Sequence, residues 1–324
     1  MGHLDNGEWI SDTVRHDRKG RFLRVETSFR NWITAHGASG FPAEAGRYHL
    51  YVSLACPWAH RAVIMRKLKG LEEAISLSVV DPFAGEDGWA FSNGPGCIPD
   101  TVNGTRFLRE VYVKAMPDYT GRVSVPVLWD KRTGTIVNNE SAEIMRMFDN
   151  AFGAIGNNGT DYYPEPLREQ IDETREALFQ PINNGVYRCG FAGSQEAYEE
   201  AVNELFTALD HWERVLARQR YLCGDAITEA DWCFFTTLIR FDPVYNIHFK
   251  CNLRRIIDYP NLWNYLKDLY QVTGVAETCN LEHHKIHYYR SHESLNPRRI
   301  VPLGPIIDFG EPHDRARFAA GNGG

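Results

Sequence analysis

The sequence predicts an α/β domain followed by an all-helical domain, and three observations support this division. Residues 47–150 alternate between short apolar runs and amphipathic stretches in the order β-α-β-α-β-β-α. From 166 to about 271 the apolar residues recur at helical spacing, with only short breaks. A stretch rich in Gly and Asn at 150–160 separates the two patterns. The predicted divisions are an extension at 1–45 that packs on the fold, an α/β domain at 46–152, and a helical domain with a C-terminal tail at 160–324.

The first half of the α/β domain begins with a strand and a helix. Residues 47–54 (RYHLYVSL) alternate like a strand. Pro57 suits the first turn of the following helix, because its missing N–H needs no partner there. Gly70 suits the end of that helix. A second strand is predicted at 74–80 and a helical stretch at 105–116.

The second half of this domain combines a β-hairpin and a helix. Residues 123–129 and 135–138 are predicted as strands joined by the turn KRTG. A proline within the first of these strands is unusual, since proline cannot donate a ladder hydrogen bond. Either the Val125–Pro126 bond is cis at a strand entry, or this is an edge strand with a trans proline. Ser141 could cap the helix that follows.

Composition and charge exclude several classes of function. The chain has 324 residues, a formal net charge of -7 and no basic stripe, so nucleic acid is not an expected partner. No apolar run approaches the roughly 20 residues that span a bilayer, and the N-terminal segment has no signal-peptide core. The seven cysteines include no CxxC pair, which favours reduced thiols over a disulfide framework or a zinc ribbon. We therefore expect a cytoplasmic protein without a membrane partner.

Cys56 stands where the first predicted strand meets the first predicted helix. The free N–H groups and the dipole of a helix N-terminus favour a thiolate, and such placement lowers a thiol pKa from about 8.5 to between about 3.5 and about 7.5. Three positions on, where a dithiol site would have its second cysteine, the chain has Ala59. A reactive Cys56 must therefore be resolved by an external thiol, which indicates glutathione as co-substrate. The alternative is a buried, inert cysteine.

Two further segments offer polar groups to an amino-acid-like ligand. A cis bond at Pro126 would expose the backbone of Val125, and a peptide ligand could pair with it. Glu140 and Ser141 stand at a predicted helix N-terminus, which could hold the amino and carboxylate groups of that ligand. His283 and His287 have the spacing of a metal pair on a helix, but no HExxH arrangement accompanies them, so no metal site is predicted.

Together these segments resemble the glutathione transferases, and specifically their Xi class, the glutathionyl-hydroquinone reductases. The resemblance implies a thioredoxin-like, glutathione-binding N-terminal domain followed by the all-helical C-terminal domain of a glutathione transferase. The segments that carry it are CPWAHR at 56–61, GRVSVPVLWD at 121–130, NNES at 138–141, NNGVYRCGFA at 183–192 and IRFDPVYNIHFKCN at 239–252.

The resemblance implies glutathione-dependent reduction of glutathionyl-hydroquinones to hydroquinones through a mixed disulfide between Cys56 and glutathione. Oxidised glutathione is the second product. Tyr187 resembles the proton donor of the family, and Tyr245 and Tyr288 resemble tyrosines near the cysteine that stabilise its thiolate. The implied glutathione-binding residues are Trp89, Arg122, Val123, Ser124, Val125, Glu140 and Ser141.

Two other functions stay open from the sequence. One is a general monothiol thioltransferase or dehydroascorbate reductase of the omega type, which would share Cys56 but differ in the aromatic pocket. The other is a glutathione-transferase-like module kept only for protein interaction, which needs no cysteine at the helix start. Tyr187, Tyr245 and Tyr288 favour the hydroquinone substrate over the first, and Cys56 counts against the second. The resemblance also implies a homodimer.

Overall fold

The computed structural model describes residues 2–11, 14–156 and 159–321, and packing divides the chain into two compact units. The first unit comprises Met1–Thr13, Arg24–Thr160 and Thr278–Val301, and the second comprises Val14–Leu23, Asp161–Glu277 and Pro302–Gly324. The predicted limits at 1–45, 46–152 and 160–324 follow sequence order and stay a prediction. When the chain is divided by packing, part of the extension (Val14–Leu23) belongs to the second unit, and part of the predicted helical domain (Thr278–Val301) belongs to the first.

A mixed sheet forms the centre of the first unit. Strand β3 (Tyr48–Val52) pairs in parallel with β4 (Ile75–Val79) and antiparallel with β6 (Val127–Asp130). The far edge is β7 (Thr135–Asn138), antiparallel to β6, which gives the order β4-β3-β6-β7. Every residue of β3 is buried, including the polar His49. This is possible because the two ring nitrogens of His49 lie 2.7 and 2.9 Å from the hydroxyl oxygens of serines on β4.

A second small sheet forms from the extension. Strands β1 (Gly2–Asp5) and β2 (Glu8–Ser11) make a hairpin, and β1 also pairs antiparallel with β5 (Gly121–Arg122). The weak periodicity of the extension did not predict this hairpin. The hairpin pairs with the backbone at Arg122, one of the residues predicted to bind glutathione.

The helices of the first unit confirm the predicted β-α-β-α-β-β-α order, with β5 as an added short strand. Pro57 lies at the first position of its helix, and Gly70, just beyond the helix end, has a φ of 62°, a left-handed conformation that suits glycine. The first and third helices pack against each other. The helices are α1 (Pro57–Leu68), α2 (Leu108–Ala115), α3 (Ser141–Asn150) and α10 (Leu281–Ser291).

The second unit is helical, as predicted for this part of the sequence. In the sequence, Thr228 followed three positions on by Asp231 is a capping pattern, and the structure has this capping box at the start of α7. Short π-helical turns at Phe179–Asn183 and Phe241–Tyr245 precede two of the helices. The helices are α4 (Arg168–Leu178), α5 (Gly185–Gly190), α6 (Gln195–Leu216), α7 (Glu229–Arg240), α8 (Asn246–His248) and α9 (Pro260–Tyr270). None of the helices in the described residues combines the length and the apolarity that crossing a membrane requires.

One buried arginine of the C-terminal tail contacts the end of α6. The Arg315 side chain donates to the carbonyl oxygens of Leu216, Gln219 and Arg220 at 2.8, 2.6 and 2.6 Å. These carbonyls lie at and just beyond the C-terminus of α6, where a helix leaves its last carbonyls without internal partners. Arg315 therefore caps α6 from a distant part of the chain.

Candidate active site

Cys56 occupies the N-cap position of α1. Its backbone is extended, with φ -78° and ψ 121°, and Pro57 starts the helix directly after it. The Cys56 side chain is half-buried, and its Sγ lies 3.8 Å from the carbonyl oxygen of Val125. None of the seven cysteines forms a disulfide. The fold therefore brings together the predicted nucleophile and the backbone that is predicted to pair with a peptide ligand.

The Val125–Pro126 bond is cis, so the first of the two readings of the proline is confirmed and the trans alternative is wrong. The strand itself begins only at Val127, because the residues before the proline do not join the ladder. Val123 and Val125 are buried, whereas Ser124 between them is half-buried.

Arg122 lies at the end of β5, opposite His3 of β1. Its carbonyl oxygen accepts a hydrogen bond from the Tyr119 hydroxyl at 3.2 Å, and its side chain is partly exposed. The pairing with β1 and the hydrogen bond from Tyr119 therefore both fix the backbone at Arg122. A guanidinium in this position suits a carboxylate ligand, with which it can form two parallel hydrogen bonds.

Glu140, and not Ser141, is the N-cap of α3. The Glu140 carboxylate accepts from the Ala142 N–H at 3.3 Å, and Ser141 is the first helical residue, so the expectation that Ser141 caps the helix is wrong. The second carboxylate oxygen of Glu140 accepts from the Thr27 hydroxyl at 3.2 Å. Glu140 takes the cap because its backbone is still extended, with φ -99° and ψ 115°, and the helical conformation begins only at the next residue. Its negative charge at this terminus suits an amino group.

Trp89 and Tyr288 are both positioned through α10. The indole ring of Trp89 stacks on the imidazole of His287, with centroids 4.7 Å apart and planes 25° apart. Nδ1 of His287 lies 3.0 Å from the Pro82 carbonyl oxygen, and Nε2 of His283 lies 2.7 Å from the Pro95 carbonyl oxygen. The two histidines thus contact backbone oxygens. Tyr288 is 1% exposed and packs edge-on to His287.

Tyr187 and Tyr245 lie together in the second unit. Their ring centroids are 6.1 Å apart, and each also packs on Phe249, at 5.5 and 5.6 Å. Tyr245 is fully buried, whereas Tyr187 on α5 is half-buried. Gly190 makes the cluster possible, because a Cβ at that position would come within 2.0 Å of the Phe249 ring. The structure therefore joins two predicted site residues that are 58 positions apart in the sequence.

Sequence reasoning missed the residues that hold these groups in place. Tyr112 on α2 contacts the backbone of Ser124 and the side chain of Asn139, and His287 stacks on Trp89. A tyrosine on a helical stripe looks like ordinary core, and no local motif marks Tyr112. His287 stood out only through its spacing from another histidine, which pointed to a metal pair.

Comparison with known proteins places the chain among the glutathione transferases. The model of the glutathione S-transferase N-terminal domain matches residues 55–151, and that of the C-terminal domain matches residues 195–268. Glutathionyl-hydroquinone reductase YqjG of Escherichia coli K12 is 54% identical, over 97% of this chain and 98% of the relative. The reductase PcpF of Sphingobium chlorophenolicum is 51% identical, over 94% of this chain and 96% of the relative.

Solved structures agree with these relatives. A Xi class glutathione transferase from Natrialba magadii has a TM-score of 0.92 and 54% identity, covering 98% of this chain and 97% of its own. The glutathione-bound structure of YqjG from Escherichia coli K-12 has a TM-score of 0.89 and 52% identity, covering 97% of this chain and 99% of its own.

Proposed function

Since the chain belongs to the glutathione transferase family and to its Xi class of glutathionyl-hydroquinone reductases, we propose that Cys56 carries out a glutathione-dependent reduction of glutathionyl-hydroquinones. Glutathione is the co-substrate. The observation that carries the mechanism is the Cys56 thiol at the N-cap of α1, 3.8 Å from the Val125 carbonyl oxygen beside a cis proline. With Ala59 three positions on, there is no second thiol in the helix turn to resolve it.

The first half-reaction transfers glutathione from the substrate to the enzyme. The Cys56 thiolate attacks the glutathione sulfur, a sulfur–sulfur bond forms, and the bond between sulfur and the ring carbon breaks. The ring carbon leaves with the electron pair and takes up one proton. The products are the hydroquinone and the mixed disulfide, so the ring is reduced by two electrons while the two sulfurs are oxidised.

The second half-reaction restores the thiolate. A glutathione thiolate attacks the glutathione sulfur of the mixed disulfide, and Cys56 leaves as the anion. Oxidised glutathione is released. The N-terminal N–H groups and the dipole of α1 favour the Cys56 anion in both steps, because they place positive potential at the N-cap position.

In the first unit, separate segments hold the tripeptide in this proposal. The backbone of Val125 pairs with the peptide, the Arg122 guanidinium binds a carboxylate, and Glu140 with Ser141 holds the γ-glutamyl end. Trp89 covers the ligand, and Val123 and Ser124 complete the segment that leads to the cis proline.

The tyrosines serve the aromatic half of the substrate. The Tyr187 hydroxyl is the proton donor to the ring carbon, a role that suits a phenol because it stays protonated near neutral pH. Tyr245 and Tyr288 donate hydrogen bonds that stabilise the Cys56 thiolate.

We infer a cytoplasmic homodimer. Seven thiols without a disulfide suit a reducing compartment. Dimers with two-fold symmetry are the commonest soluble oligomers, and the extension and tail offer extra surface for such contact. Sedimentation of the purified full chain tests the dimer, and a single species at the monomer mass would contradict it.

Product analysis tests the function. The enzyme is incubated with a glutathionyl-benzohydroquinone, with and without added glutathione. We expect benzohydroquinone and oxidised glutathione in a one-to-one ratio when glutathione is present, and no more than one hydroquinone per active site when it is absent. Sustained turnover without glutathione would exclude the mixed-disulfide route.

A parallel assay separates the reductase from the omega-type alternative. Dehydroascorbate and a small glutathione mixed disulfide replace the hydroquinone conjugate. We expect kcat/KM to be highest with the conjugate, because Tyr187 supplies the proton that its ring carbon needs. A higher value with dehydroascorbate would favour the omega-type enzyme. Alkylation of Cys56 only near the unperturbed thiol pKa of about 8.5 would favour the non-catalytic module.

A further inference from the structure

We propose that Tyr112 is a positioning residue for glutathione, because its phenol oxygen fixes both backbone segments that bind the tripeptide. The inference rests on the proposed function and adds to it a residue that does not touch the ligand. Tyr112 lies on α2 and is fully buried.

The Tyr112 oxygen uses its whole hydrogen-bonding capacity. It donates to the Ser124 carbonyl oxygen at 2.8 Å and accepts from the Ser124 N–H at 3.3 Å. It also accepts from the Asn139 side-chain amide at 3.1 Å. A phenol oxygen has one hydrogen and two lone pairs, so these contacts leave it no capacity for anything else.

Each partner is next to a glutathione-binding residue. Ser124 directly precedes Val125, whose backbone is proposed to pair with the peptide. Asn139 directly precedes Glu140, which holds the γ-glutamyl end in the proposal. One atom therefore sets the spacing between the two halves of the peptide site.

The surroundings of Tyr112 hold the phenol in one place and one protonation state. Its ring packs against Phe29 at 5.9 Å and against Tyr119 at 5.2 Å. The Phe29 N–H in turn donates to the Asn139 side-chain oxygen at 3.1 Å. Burial raises the pKa of Tyr112 to about 12, which keeps the hydroxyl a donor at any working pH.

The test is glutathione affinity in a background without chemistry. Glutathione is titrated calorimetrically into Cys56→Ser and into the double variant Cys56→Ser, Tyr112→Phe. Phenylalanine keeps the ring packing and removes only the shared oxygen. We expect Kd for glutathione to rise about tenfold, which is the loss of roughly one net hydrogen bond to a polar group.

Tyr51→Phe is the matched control. Tyr51 is also buried in the first unit, and its hydroxyl contacts Asp100 and Asn103 at 2.9 Å each, neither of which belongs to residues 123–141. Both phenylalanine variants lose a buried hydroxyl, so both lower the melting temperature. Only Tyr112→Phe is expected to weaken glutathione binding.

The outcomes separate this inference from the proposed function. Failure of Cys56→Ser alone to bind glutathione would overturn the peptide site and this inference with it. Normal binding in Cys56→Ser and equal Kd values in the double variant would overturn the role of Tyr112 alone. Should Tyr112→Phe fail to fold, Asn139→Asp replaces the amide donor with a carboxylate that cannot donate to the Tyr112 oxygen and that competes with the Ser124 carbonyl oxygen for the Tyr112 hydrogen. An unchanged Kd in that variant contradicts the inference, and a raised one supports it.

Discussion

The two compact units carry different kinds of predicted site residue, and each unit holds its own residues in a different way. The first unit holds all predicted site residues except Tyr187 and Tyr245. Those residues come from a helix N-cap, a cis-proline segment, a loop and α10. The second unit contributes two tyrosines that share one aromatic cluster. In the first unit, the groups predicted to serve the thiol and the peptide are polar backbone groups at a helix start and beside a cis proline. In the second unit, the groups predicted to serve an aromatic substrate are side-chain rings held by their packing on one another.

The largest expected effect comes from removing the thiol in the first unit. We expect Cys56→Ser to abolish turnover with a glutathionyl-hydroquinone, because no other group forms the mixed disulfide, and to leave glutathione binding largely intact. Steady-state kinetics and calorimetry measure the two effects. Cys279→Ser is the control, since Cys279 is also half-buried in the first unit and is expected to retain turnover. Normal turnover together with loss of glutathione binding in Cys56→Ser would show that Cys56 binds glutathione and is not the nucleophile.

The next largest effect comes from Tyr187 in the second unit, and it should depend on which substrate is used. We expect Tyr187→Phe to slow hydroquinone release by about 100-fold, the usual scale of a lost general acid. Formation of the glutathione adduct from a small disulfide, which needs no carbon protonation, should change little. Rapid quench with both substrates measures this difference. Tyr198→Phe is a control in the same unit, since its hydroxyl only donates to the Lys250 carbonyl oxygen. Equal slowing of both reactions by Tyr187→Phe would remove it from the proton-donor role.

Removal of the Arg315 side chain should affect the stability of the second unit and not its chemistry. Arg315→Met removes the donor from three carbonyl oxygens, one at the last residue of α6 and two just beyond it. We expect the free energy of unfolding to fall by about 3 kcal/mol, with kcat and KM of the folded enzyme unchanged. Urea denaturation measures the loss. Arg317→Met, whose charge contacts are exposed, should cost less than about 1 kcal/mol. Similar losses of unfolding free energy in Arg315→Met and Arg317→Met would mean that the buried hydrogen bonds of Arg315 add nothing to stability.

The smallest expected effect is a pH dependence of the free energy of unfolding that comes from Asp130 in the first unit. Burial alone raises the pKa of Asp130, but hydrogen bonds from Arg47 and Thr133 outweigh it, so the net pKa lies below the usual value. A lowered carboxyl pKa contributes stability above the unfolded value of about 3.9 and loses it as the pH falls through the folded value. We expect the difference in unfolding free energy between wild type and Asp130→Asn to narrow below about pH 4. A constant difference across that range would contradict this.

Local features of the site could be predicted from short stretches of sequence. The position of Cys56 before Pro57 and the capping box at Thr228 each depend on neighbours a few residues apart. For the Val125–Pro126 bond the sequence left a cis and a trans reading open, and the structure decided for cis. The cap of α3 shows the limit of this approach. Both Glu140 and Ser141 could accept from the helix N–H groups, and only the backbone path decided that Glu140 does so.

The sequence by itself determined the β-α-β-α-β-β-α order of the main elements between residues 47 and 150, the place of the thiol at a helix start, and the absence of a second cysteine at Ala59. Only the tertiary structure decided that α10 carries His287 to Trp89, that Tyr112 joins Ser124 to Asn139, and that Arg315 closes α6. The physical reason is distance along the chain. Caps, turns and helix dipoles act between neighbours, so a short pattern records them. A hydrogen bond or ring contact between remote residues depends on how whole elements pack, and no local pattern specifies that.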